Sequence, residues 1–117
     1  MDQKDLPKWG SLREKKCVPC EGGMPPLDHD AIERLQPEID LAWNIIDGKK
    51  IRREFKFADF KQAVDFVDKV AALAESEKHH PTIEVDYDNV ALELWTHAIG
   101  GLSENDFILA AKIDALQ

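Results

Sequence analysis

The chain has 117 residues with a formal net charge of −8, of which 44% are apolar and 32% charged. That length points to a single domain able to bury roughly 60–70% of its unfolded surface, and the apolar share is too high for general disorder. The acidic balance argues against electrostatic capture of nucleic acid or of an anionic membrane. No run approaches the ~18 apolar residues of a membrane span and no signal-peptide core follows Met1, so the expected compartment is the cytoplasm.

In chain order, residues 1–27 read as an irregular arm that packs partly on the domain through Leu6, Trp9, Leu12 and Leu27. The arm holds the two cysteines as Cys17-Val-Pro-Cys20. A tetrahedral zinc site usually takes four ligands, and no second cysteine pair completes one. A redox reading wants the motif opening a helix after a strand, whereas Pro19, Gly22, Gly23, Pro25 and Pro26 make this a loop. The pair therefore reads as reduced, with a zinc site shared between subunits or completed by His29 as the rival.

The domain is expected over residues 28–117. Asp28 or Asp30 is placed to cap a short helix to about Gln36, with Pro37 discouraging continuation. A hairpin follows, with strands at 41–46 and 50–57 around Asp47-Gly48. Asp59 opens a long helix to about Glu77 on which Phe60, Ala63, Val64, Val67, Val70, Ala71 and Ala74 recur at helical spacing. Phe66 and Leu73 fall on a second apolar flank, suited to a partner subunit. A second hairpin turns at Asp88-Asn89: Ile83, Val85 and Tyr87 alternate before it, and Val90, Leu92 and Leu94 after it. Ser103 is placed to cap a last helix over 104–116. This order predicts an α+β two-layer sandwich, αββαββα, with a four-stranded antiparallel sheet carrying its helices on one face. The other face is left to solvent, ligand or subunit.

Three of the four histidines converge on one end of the second hairpin. His79 and His80 start its first strand, with Pro81 holding His80 extended. Glu93, Trp95 and His97 share one face of its second strand. Imidazole both gives and takes protons near neutrality, yet three histidines could equally hold zinc or be solvated. Glu75 is either a solvated helix residue or a partner for His79 four positions on. Asp106 reads as the acid of a capping box with Ser103.

The pattern Glu75-x3-His79-His80-Pro81, then Tyr87, His97 and Asp106, resembles the signature of the pterin-4a-carbinolamine dehydratases. The similarity extends to "WNIIDGKKIRREFKFADFKQAVDFVDKVA" and "THAIGGLSENDFILAAKID" and spans roughly residues 28–116. The resemblance implies the αββαββα fold, a homodimer or homotetramer, and loss of water from 4a-hydroxytetrahydropterin to give quinonoid dihydropterin, in recycling of tetrahydropterin after aromatic amino acid hydroxylation. It implies no redox cofactor or metal. His79, His80 and His97 are the implied catalytic set, with His79 and His97 as acid and base and His80 orienting the pterin. Glu75 and Asp106 support the imidazoles, and Trp43 and Thr96 join the histidines around the substrate. The arm takes no catalytic role. Two other classes stay open: a pterin-binding accessory protein near molybdopterin enzymes, and an interaction protein, since animal members also act as dimerisation cofactors of a homeodomain transcription factor.

Overall fold

The computed structural model describes residues 12–18 and 24–117. Of the two aspartates able to start the first helix, Asp28 does so: its carboxylate accepts the Ala31 N–H at 2.9 Å and begins α1, His29–Leu35. Pro37 does not end the coil at once. Gln36–Glu38 continue it as a 3-10 turn, because a proline in a first turn has no intrahelical bond to lose.

Strands β1, Asn44–Ile46, and β2, Lys50–Lys56, form the first hairpin, with Asp47 and Gly48 both at positive φ in its loop. The first strand is shorter than the predicted 41–46. Asp40 draws Leu41 and Ala42 into a turn instead, its carboxylate accepting Ala42 N–H and its carbonyl Trp43 N–H, the local competition with sheet bonding at which aspartate excels.

Helix α2, Phe60–Glu77, starts where Asp59 accepts Gln62 N–H at 2.9 Å. Its buried stripe is Ala63, Phe66, Val70 and Ala74, while Phe60 and Ala71 face outward. Phe66, expected on a flank, is central: its ring lies 4.7 Å from that of Phe55 and 5.1 Å from that of Phe57. The apolar arc is wide enough for either choice, and contact with the aromatic strand selects one.

Strands β3, Thr82–Asp86, and β4, Asn89–Leu94, complete an antiparallel sheet of order β1-β2-β4-β3. The two-residue loop is Tyr87-Asp88, one position earlier than predicted, because Asp86 pairs with Asn89. Ile51, Phe55, Val90, Leu92 and Leu94 turn inward and are buried beneath the helices. On the opposite face Arg52 bonds Glu93 at 2.8 Å and Glu84 at 3.4 Å across three strands. Helix α3, Glu104–Asp114, ends before the predicted 116 and is buried nearly all round. Helix α2 and the 3-10 turn Gln36–Glu38 cover part of it, and the 3-10 turn Leu12–Glu14, whose Leu12 is 1% exposed, covers another part. The fold is thus the expected α+β sandwich.

Candidate active site

The site begins at the end of α2. Lys78 takes the left-handed conformation, φ 55°, and the helix closes with Lys78 N–H on the Ala74 and Glu75 carbonyls and His79 N–H on that of Ala74. A lysine in this geometry costs on the order of 1 kcal/mol relative to glycine. The reversal sends His79 and His80 to different places although they are adjacent.

His79 turns inward. Its Nε2 lies 2.5 Å from Asp106 Oδ1, with the imidazole 13% exposed and the carboxylate fully buried. The other oxygen, Oδ2, accepts the Ser103 N–H and the Thr96 hydroxyl, both at 2.9 Å. Thr96 Oγ1 is also 2.7 Å from Ser103 Oγ. With Thr96 donating to Asp106, Ser103 donates to Thr96, and the carboxylate acts purely as acceptor. In that arrangement His79 Nε2 donates to Asp106, which leaves the ring's lone pair on Nδ1. The Ser103–Asp106 capping box that starts α3 thus also holds the carboxylate that orients an imidazole.

His80 turns outward. Its Nε2 meets Glu75 Oε2 at 2.8 Å, and both side chains are mostly exposed. Glu75 accordingly serves His80 and not His79, because the left-handed residue carries the chain back over the last turn of α2. His97 heads a 3-10 turn, His97–Ile99, that leaves and rejoins the sheet through the Thr96–Gly101 bridge. Gly100 supplies the left-handed corner, and a Cβ on Gly101 would sit 2.8 Å from Pro26. The His97 ring stacks on Trp95 with centroids 3.9 Å apart, and Lys50 Nζ lies 5.2 Å from the Trp95 ring.

His79, His80 and His97 line one cleft of about 630 Å³ together with Trp95, Thr96 and Ala98, a size suited to a small heterocycle. Lys16, Cys17 and Val18 line it too, which nothing in the sequence suggested. Cys17 N–H donates to Glu77 Oε1 at 2.8 Å, and Glu77 Oε2 accepts Lys112 Nζ at 2.7 Å. Burial, then the neighbouring Glu77 carboxylate, pushes the Cys17 thiol up to about 12, so it is no nucleophile at neutral pH. Burial also pulls the Glu77 carboxyl upward, but the Lys112 ammonium and the Cys17 amide outweigh it and hold it below the ordinary range.

Trp43 does not line this cleft. It is buried in the core, with its indole N–H on Asp114 Oδ1 at 2.8 Å and its ring edge-on to Phe55. Arg53 reaches the same Asp114 oxygen at 2.6 Å. Burial raises the Asp114 carboxyl despite these donors. Thr96 lines the cleft, but its hydroxyl is committed to Asp106 and Ser103, which makes it a support for the imidazole. Tyr87 of the sequence signature lies at the far turn of the second hairpin, 64% exposed. Cys20 is outside the described residues. His29 pairs with Glu33 on the surface of α1, and among the described residues no group of three or more His, Cys, Asp or Glu is arranged to hold a metal ion. No helix among them is long and apolar enough to cross a membrane.

Residues 25–116 match the family described as Pterin 4 alpha carbinolamine dehydratase. Among relatives provisionally named as pterin-4-alpha-carbinolamine dehydratases, one from Rickettsia bellii is 49% identical over 107 residues, covering 92% of this chain and 95% of its own. One from Nitrosospira multiformis is 52% identical over 105 residues, covering 90% and 91%. A crystal structure from Brucella melitensis, described as a transcriptional coactivator/pterin dehydratase, superposes with a TM-score of 0.72 at 34% identity, over 78% of this chain and 97% of that one. A pterin dehydratase-like protein identified as a RuBisCO assembly factor in the alpha-carboxysome gives 0.55 at 27% identity, over 64% and 88%. By fold and by sequence match, the chain belongs to the pterin 4 alpha carbinolamine dehydratase family.

Proposed function

We propose that the chain eliminates water from 4a-hydroxytetrahydropterin to give quinonoid dihydropterin, acting in the cytoplasm as a homodimer or homotetramer. The observation that carries this reading is His79, held by the buried Asp106 at the wall of a cleft that His97 also lines. Dehydration asks for two proton movements: the N5 proton leaves as the N5=C4a double bond forms, and the 4a-hydroxyl takes a proton as its C–O bond breaks. The released products are the quinonoid ring and one water. His79 and His97 are two imidazoles lining one cleft, suited to share these steps as base and acid. His80, paired with Glu75, orients the pterin, and Asp106 maintains the His79 tautomer as an orienting carboxylate does in other acid–base sites. Oligomerisation is supported by β3, an edge strand with Val85 exposed and followed by the exposed Tyr87 of the hairpin loop; light scattering reads it directly.

Rapid mixing of purified protein with 4a-hydroxytetrahydropterin, followed by its ultraviolet absorbance, tests the activity. Acceleration over the spontaneous rate, undiminished by chelator, is the expected result. The alternative is a binding module, of the sort represented by the RuBisCO assembly factor with this fold or by an accessory protein for molybdopterin enzymes. Pterin binding without acceleration would favour it.

A further inference from the structure

The segment Lys16–Val18 lies outside residues 25–116, which match the family model, though inside the span of relatives that cover 92% of this chain, and it lines the cleft. It is fastened at three places. Upstream, Leu12 is buried in the domain core and Lys15 Nζ bonds Glu104 at 2.9 Å. Downstream, the side-chain amide of Asn105, itself 4% exposed, takes Val18 in a two-pronged grip. Val18 N–H donates to Oδ1 at 3.0 Å and Nδ2 donates to the Val18 carbonyl at 2.5 Å. Glu77, braced by Lys112, accepts the Cys17 N–H. The segment's backbone is therefore tied to both helices that frame the site: α2, which ends at Glu77 two residues before His79, and α3, whose second residue Asn105 precedes Asp106.

What this fastening presents is informative. Val18 is 63% exposed on the cleft. A segment bound only to stabilise the domain would place its apolar side chain inward, as Leu12 does. Here backbone groups make the attachment, and the aliphatic side chain of a cleft-lining residue is left exposed.

We infer that Lys16–Val18 is a substrate-contacting wall of the cleft, with Val18 packing on the bound heterocycle and Asn105 as the positioning residue that holds it there. This rests on the cleft being the pterin site, as proposed above. The wall acts on binding and not on proton transfer, so its loss appears in KM while kcat persists.

The test uses the full chain and steady-state dehydration of 4a-hydroxytetrahydropterin, with 7,8-dihydropterin as a stable binding probe. Val18→Ala, which keeps the backbone bonds to Asn105, should raise KM and the probe Kd by roughly 3- to 10-fold, as expected for uncovering up to two methyl groups, with kcat within about threefold. Asn105→Ala should raise both by a larger factor, because it releases the whole segment. Thermal melts accompany each variant. A segment that serves only as a brace would give a lower melting temperature for Asn105→Ala and unchanged KM in both variants, which overturns the inference and leaves the dehydratase reading standing. Failure of the wild-type protein both to turn over the carbinolamine and to bind the probe would overturn the two together.

Discussion

His79 and His80 are neighbours in sequence and each presents Nε2 to a carboxylate, at 2.5 Å and 2.8 Å. One pair is dry and the other wet. Asp106 is fully buried and takes two further donors on its second oxygen, so it has a single geometry in which to hold His79. Glu75 is 75% exposed and shares its pair with water. The same two functional groups thus form a fixed orienting device in one case and an adaptable surface contact in the other. The left-handed Lys78 is what separates them, by letting one imidazole enter the fold while the next swings back along α2.

The comparison breaks most visibly in catalysis. His79→Ala and His97→Ala should each lower kcat by roughly 10²–10⁴, the usual contribution of general acid–base catalysis, and the double variant should lose less than the product of the two. His80→Ala should raise KM more than it lowers kcat. Dehydration kinetics beside thermal melts decide it; wild-type kcat in both His79 and His97 variants would remove the histidines from the chemistry.

A smaller effect separates the two carboxylates by stability. Asp106→Ala strands the Thr96 hydroxyl, the Ser103 amide and His79 in a buried setting, at about 1–3 kcal/mol for each unsatisfied group. Glu75→Ala should cost less than about 1 kcal/mol, and that little should vanish in high salt. Urea melts at low and high ionic strength measure both. Equal losses would mean that burial does not distinguish the pairs.

A third contrast lies in acid. The folded Glu77 carboxyl sits below its ordinary value of 4.5, so its contribution to stability is complete above that pH and is lost as pH falls through the folded value. Glu77→Gln should therefore flatten the acid side of the melting temperature against pH. Asp114 has the opposite sign: its folded value is raised above 3.8, so its contribution is complete below 3.8 and lost as pH rises through the folded value. Asp114→Asn should remove that opposing slope. A Glu77→Gln curve parallel to wild type would show that Lys112 and Cys17 do not hold the carboxylate.

The smallest effect is at Cys17. With its thiol near 12 against an ordinary 9.0, its thiolate fraction at pH 8 is lower by roughly three orders of magnitude. In a Cys20→Ser background, alkylation of the native protein by iodoacetamide should be far slower than after denaturation. Equal rates would place the thiol in water.

The helix starts, the strand pairing and the sheet face were legible in the sequence because they are local. Asp59 and Ser103 cap the helices they appeared to cap, and the alternation of Ile51 and Phe55, or Val90 and Leu92, faces the core as period two requires. The convergence of three histidines on one hairpin end followed from the same periodicity. What the linear pattern left open was decided by groups that meet only when distant segments pack. Glu75 went to His80 because a left-handed residue intervened. Trp43 left the cleft for Asp114 because its buried N–H needs an acceptor, and Asp106 took His79 because a capping carboxylate has a second oxygen to offer. Residues 16–18 reached the cleft through backbone hydrogen bonds to Asn105 and Glu77. Backbone groups are common to every residue, so such a placement leaves no mark in the order of side chains and exists only in the folded chain.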